Sequence, residues 1–263
     1  MSSAPRLPVD ALDVNPPPTD EELPDYEDEA APEYDRELHE TPLHRYYLRQ
    51  MDRKLLMVVP YGPSAPESYR IASRGARLFS KRPEVEVWRT SRAPTADAFV
   101  AGIWFDIDGP LPWRPRARFI QNGTQGAQTY AMESRNFSDW TLSLDGTTYV
   151  WMLEARPFSM VFRVVGSRQV IARFNFSAQG TTATGGAEAG DLIVYRDRLS
   201  ADSAGVEKIL CSLVTAVTQF RKMGRHYKND PAEAPLRAAS LPGDRVPLHR
   251  TGAAQFWSYS GEV

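Results

Sequence analysis

The sequence predicts a mainly β protein with one hydrophobic helix enclosed by sheet late in the chain. Three observations predict it. Between residues 41 and 228, short runs rich in β-branched and aromatic residues are separated by Gly, Pro, Asp and Asn. One long segment with helical spacing follows nearly all of them. Over most of its length that segment has no charged side, which suits burial on every face; the alternative is a helix lying on one sheet face with a small-residue outer side.

The first 40 residues combine Pro16-Pro17-Pro18, Pro24 and Pro32 with an acidic run from Asp20 to Glu29. They offer too little apolar surface to offset the entropy of ordering, so this acidic, Pro-rich tail is expected to be disordered. The runs that follow are Arg45–Arg49, Lys54–Val59, Ser68–Ser73, Ala76–Ser80, Glu84–Thr90, Ala98–Ile107, Arg116–Gln121, Gln128–Ser134, Trp140–Leu144, Thr147–Leu153, Phe158–Val165, Arg168–Phe176 and Asp191–Arg196. Some of them are expected to fuse, giving about twelve strands.

Two turns are specified by their residues. Asp145-Gly146 suits the positive φ angles of a two-residue type I′ turn, and Gly166-Ser167 places Gly where a type II′ turn requires it. A four-strand antiparallel meander over residues 140 to 176 follows. In its last strand Val170, Ala172, Phe174 and Phe176 alternate with Gln169, Ile171, Arg173 and Asn175, so the two sets should face opposite ways.

The helix is expected from Asp202 to His226, capped by Ser200 or Asp202. Val206, Ile209, Leu210, Leu213, Val214, Val217 and Phe220 recur on one side, and the other offers Cys211, Ser212, Thr215, Thr218 and Gln219. No charge interrupts the stretch between Lys208 and Arg221, about 18 Å of helix. Beyond it, residues 229–263 are Pro- and Ala-rich and expected to be mostly disordered, although Phe256, Trp257 and Tyr259 could dock back as a short strand.

Composition narrows the setting. With 263 residues, 42% of them hydrophobic, the chain can bury a core of its own. Its one cysteine, Cys211, allows no intramolecular disulfide. No apolar leader and no stretch of about 20 apolar residues is present, so the expected address is cytoplasmic, peripheral at the inner membrane face, or nuclear. The first 40 residues hold 2 basic and 13 acidic side chains, a charge of −11, so the rest carries +9 against a total of −2. A basic body can meet phosphates or anionic lipid, and the acidic tail can mask it.

About twelve antiparallel strands followed by a single apolar helix, entered directly after Leu192-Ile193-Val194-Tyr195, resembles the tubby C-terminal-like superfamily. Tubby proteins, LURP-one-related proteins and phospholipid scramblases belong to it. The resemblance covers residues 43 to 228 and rests on element order and on the helix Val206–Phe220. It implies a twelve-stranded closed barrel wrapped around that helix, in a domain of residues 41–228 between the two tails. It also implies binding of anionic phospholipid or phosphoinositide. No lipid-contacting residue is carried over from the family, and the Cys-rich segment of a scramblase has no counterpart here.

Asp106-Ile107-Asp108-Gly109-Pro110-Leu111 resembles the nucleophile loop of haloacid-dehalogenase-type phosphatases, where two Asp hold Mg²⁺. That fold needs alternating strands and helices, so a metal-dependent phosphatase ranks third and no catalytic residue is assigned. His39, His44, His226 and His249 show no metal-ligand spacing, Cys211 has no activating base nearby in sequence, and Gly180–Gly190 lacks the Gly-Lys-Ser/Thr of a phosphate cradle. Neither a metal nor a cofactor nor a nucleic-acid partner is expected.

Basic residues are the better signal, because Arg forks suit phosphate oxygens. The groups Arg45, Arg49, Arg53, Lys54 and Arg70, Arg74, Arg77, Lys81, Arg82 form the candidate lipid-binding patch. Arg221, Lys222, Arg225 and Lys228 are accounted for by the dipole at a helix C-terminus. In the tail, Leu23-Pro24-Asp25-Tyr26 matches the Leu-Pro-x-Tyr form read by WW domains, through Leu23, Pro24 and Tyr26. The leading expectation is therefore a non-enzymatic module that binds anionic lipid. The alternative is an interaction scaffold without lipid ligand, recruited through that tail segment.

Overall fold

The computed structural model describes residues 42–61, 67–74, 82–90, 97–106, 114–123, 126–134, 136–155 and 157–231. Twelve strands run in order: β1 (Pro42–Gln50), β2 (Leu55–Pro60), β3 (Ser68–Ser73), β4 (Val85–Thr90), β5 (Ala98–Asp106), β6 (Arg116–Gly123), β7 (Gly126–Ser134), β8 (Trp140–Leu144), β9 (Thr147–Glu154), β10 (Ser159–Val164), β11 (Val170–Phe176) and β12 (Ala187–Tyr195). The helix α1 (Ser203–Lys222) follows. The tail residues Leu23, Pro24 and Tyr26, the run Ala76–Ser80, Asp108 and the aromatic residues 256–259 lie outside the described residues.

Each strand pairs antiparallel with its sequence neighbours, and β12 closes onto β1 to complete the barrel. The chain therefore alternates between two rims. The upper rim is where α1 begins and the lower rim is where it ends. Hydrogen bonds locate the helix inside: Gln121, high on β6, donates to the Ala204 carbonyl at 3.1 Å, and Lys222 meets Glu84 beside the lower rim at 2.6 Å.

Inward residues of every strand and the whole middle of α1 form one core. From Ile209 to Val217 no helical residue is more than 4% exposed, the Ser/Thr side included. That side is satisfied internally: the indole Nε1 of Trp151 donates to Ser212 Oγ at 2.8 Å, Ser212 Oγ donates to the Ile209 carbonyl, and Thr215 Oγ1 donates to the Cys211 carbonyl. With hydroxyls paired, a charge-free helix gains from enclosure on all sides. β5 and β6, whose inward positions include Ala101 and Ala117, approach it closely.

Three expectations need correction. A register shift between β10 and β11 turns Ile171 into the main core and sends Val170 to a small outer cluster with Val161 and Tyr195. Simple alternation fails there because a bulge adds one residue to a strand. The β10–β11 turn is centred on Val165-Gly166 rather than Gly166-Ser167: the Ser167 amide donates to the Val164 carbonyl at 3.0 Å, and Gly166, at φ 82°, fits the third position of a type II turn. The helix ends at Lys222 instead of His226, before Gly224 at φ 67°. Its N-cap is Asp202, whose carboxylate accepts from the Gly205 amide at 2.7 Å. The type I′ turn is as expected, with Asp145 at φ 47° and Gly146 at φ 81°.

Candidate functional site

The lower rim gathers cations from segments far apart in sequence. In the β1–β2 turn Asp52 Oδ1 accepts from the amides of Lys54 and Leu55 at 2.6 and 2.9 Å, which fixes the backbone and leaves Arg53 and Lys54 exposed. The Lys54 carbonyl accepts from the Ser73 amide at 2.7 Å, and the Arg74 amide donates to the Glu84 carbonyl at 2.7 Å, so the turn and the ends of β3 and β4 adjoin. Arg74 pairs with Glu86 at 2.9 Å and Lys222 with Glu84 at 2.6 Å; the Lys222 ammonium also lies 3.8 Å from the centre of the Phe105 ring. Exposed Arg82 precedes β4 in this sector, whereas exposed Arg225 and Lys228 follow α1 farther round the same rim, where the Arg225 carbonyl accepts from Thr181 Oγ1 at 2.9 Å and the Asn229 amide donates to the Ser177 carbonyl at 3.0 Å.

Beneath it lies Arg221. Its Nε donates to the Thr181 carbonyl at 3.0 Å and its Nη1 donates to Gln50 Oε1. Gln50 is itself 4% exposed and donates to the Leu55 carbonyl at 3.1 Å, which ties the turn to the helix end. Nη2 is buried without a partner, and burial lowers the Arg221 pKa below the usual guanidinium value.

Of the sequence-predicted patch, Arg53, Lys54, Arg74 and Arg82 stand together on this rim. Arg45 and Arg49 do not. They project from the outer face of β1, in register with Ile193 and Glu188 of β12. Arg70 is on the outer face of β3, held by Asp97 at 3.2 Å and lying 5.7 Å from the Trp88 ring centre. Arg77 and Lys81 are outside the described residues. The sequence reading accounts for Arg221, Lys222, Arg225 and Lys228 by the dipole at the helix C-terminus, with which the place of Arg221 and Lys222 in the last turn of α1 agrees, and Lys222 also joins this sector through Glu84. The signal that could have found them is parity: a helix entering after the twelfth strand and running through the barrel must emerge at the rim that carries the β1–β2 turn.

The upper rim carries a second polar cluster with a structural task. Glu207, 3% exposed, accepts from Arg89 Nε at 3.0 Å and from Gln121 Nε2 at 3.1 Å, and Arg89 also meets Glu67 at 2.9 Å. These bonds fasten the first turns of α1 to β4 and β6.

Among the described residues, no group of three or more His, Cys, Asp and Glu side chains could hold a metal ion. Cys211 is wholly buried and burial pushes its thiol pKa far up, which keeps it from being a nucleophile. No described helix is long and apolar enough to cross a membrane. Comparison with protein-family models, curated proteins and solved structures gave no match.

Proposed function

We propose that this chain is a tubby-like, non-enzymatic module that binds anionic phospholipid through its lower rim, with Arg53, Lys54, Arg82, Arg225 and Lys228 as the contacting cations. One observation carries the reading: three sequence-distant segments, the β1–β2 turn, the β3–β4 ends and the end of α1, adjoin on this rim, with Arg53, Lys54 and Arg82 exposed there and Arg225 and Lys228 exposed farther round it. The barrel interior is filled by α1, which leaves the outer surface and rims for a ligand. Exposed cations beside an anionic surface contribute about 1 kcal/mol each and are screened by salt.

Flotation with vesicles tests this. The full chain is expected to float with vesicles containing phosphatidylserine or a phosphoinositide, to stay behind with phosphatidylcholine alone, and to release as salt rises. The triple variant Arg53→Glu, Lys54→Glu, Arg225→Glu is expected to lose binding, whereas Arg196→Glu, exposed near the upper rim, keeps it. Equal flotation of the triple variant and the unaltered chain would sink the proposal.

A further inference from the structure

The tryptophans among the described residues divide by face. Trp140 and Trp151 are sealed in the core at 0% exposure, whereas Trp88 and Trp104 stand half-buried on the neighbouring strands β4 and β5. Tyr69, Ile71, Ile103 and Phe105 belong to the core, so the residues between them, Arg70 on β3 and Trp104 on β5, point outward. Trp88 is across from Arg70 on the same outer face; its ring centre lies 5.7 Å from the Arg70 guanidinium and 5.1 Å from that of Phe99. Both outward tryptophans therefore share one stretch of wall.

The Trp104 ring is held against that wall. A Cβ built on Gly102 would lie 2.9 Å from Trp104 Cη2 and 2.9 Å from Pro83 Cβ, so the indole and the proline cover the space the glycine leaves. Arg118, exposed, is across from Trp104, and Ile120 is across from Gly102. Carboxylates near this surface are engaged: Asp97 holds Arg70 at 3.2 Å, Glu86 holds Arg74 at 2.9 Å and Glu84 holds Lys222 at 2.6 Å. Exposed Arg118 on the wall, with exposed Arg53, Lys54 and Arg82 along its lower edge, borders the aromatic surface with positive charge.

We propose that this wall meets the bilayer together with the lower rim, and that Trp88 and Trp104 seat at the headgroup level of an anionic membrane. The inference rests on the lipid-binding reading above, to which it adds an orientation and a second kind of contact. An indole combines an apolar body with one N–H donor and favours the boundary between acyl chains and headgroups. Cations at the lower edge draw the barrel to an anionic surface through an attraction that salt screens. Burial of the indoles adds an attraction that salt does not screen. Cations at a rim alone leave the barrel free to tilt, whereas seating Trp88 and Trp104 lays it down with the outer faces of β3 to β6 toward the membrane.

Fluorescence quenching tests the orientation. With phosphatidylcholine–phosphatidylserine vesicles whose acyl chains carry bromine, the full chain is expected to lose part of its tryptophan emission, while sealed Trp140 and Trp151 keep theirs. Most of that quenching should vanish in the double variant Trp88→Phe, Trp104→Phe, which should keep its melting temperature because both rings lie outside the core. Trp104→Ala should weaken vesicle binding by about tenfold and let the protein go at lower salt. Equal quenching of the double variant and the unaltered chain would overturn the proposal. So would flotation of the unaltered chain without any quenching, a result that leaves the lipid-binding rim standing. A chain that floats with no anionic vesicle takes both readings down.

Discussion

Asp191 is a carboxylate on the outer side of β12, set between Asn175 of β11 and Tyr47 of β1. Tyr61, stacked on Tyr47 with ring centres 3.9 Å apart, directs its hydroxyl toward Asp191 Oδ2 at 3.5 Å. Burial pushes the Asp191 pKa up to about 6, against the opposing pull of hydrogen bonds from Asn175 and Tyr61 and of the Arg45 charge. Glu188, partly withdrawn from water and near Asp191, is pushed up to about 7 in spite of Arg49. Both folded-state values lie above those of an unfolded chain, so the folded state holds these protons more tightly. Stability from this pair is therefore fully present below about pH 4 and is lost as pH rises toward 6 and 7, by at most about 3 kcal/mol for Asp191. Asp191→Asn should flatten that part of the curve and be the more stable protein at pH 8, as read by urea unfolding at a series of pH values. Parallel curves for the two proteins would mean that the carboxylate is well solvated. The same face shows what a list of arginines hides: Arg45 and Arg49 look like free cations in sequence, and the β1–β12 register puts carboxylates beside them.

Among the elements, α1 states its environment most openly in sequence, and its start depends on a contact that sequence does not reveal. A Cβ built on Gly205 would lie 1.6 Å from the Leu199 carbonyl oxygen, in the short 3₁₀ turn Leu199–Ala201 that feeds the helix. Alanine favours a helix interior over glycine by about 1 kcal/mol. Gly205→Ala should nonetheless destabilise, by about 2 kcal/mol or more, because the turn or the Asp202 cap must move. Thermal unfolding of the full chain checks the sign; a rise in melting temperature would show that the turn yields freely. The strands were legible to a similar degree. Branched and aromatic runs marked nearly all of them, and Asp145-Gly146 fixed its hairpin, because those signals are local. The bulge at Ile171, the turn at Val165-Gly166 and the start of β12 at Ala187, four residues before the predicted run, depend on partners elsewhere in the sheet. Local alternation cannot register them.

Closure is the property of the whole molecule that single elements do not announce, since β1 and β12 meet only after the entire sheet has been laid down. The sequence expressed it indirectly, as a helix with no side fit for water, and the candidate rim was half legible for the same reason: Arg53 and Lys54 were visible as a cluster, whereas Lys222 reaches their sector, through Glu84, only once the barrel is closed. The lower end is sealed by the chain that follows α1. The Tyr227 ring sits 5.0, 5.5 and 5.7 Å from those of Phe220, Phe158 and Phe176. Asn229, 8% exposed, accepts from the Phe158 amide at 2.6 Å and donates to the carbonyls of Phe158 and Phe176 at 2.9 and 2.6 Å. Asn229→Asp keeps the shape but turns a donor toward two carbonyls into an acceptor, leaving buried groups unpaired at about 1 to 3 kcal/mol each. The variant should unfold at lower temperature and lose hydrogen-exchange protection first at the lower ends of β10 and β11, while amides near Glu207 stay protected until global unfolding. Protection lost evenly along the barrel would show that the seal and the wall open as one unit.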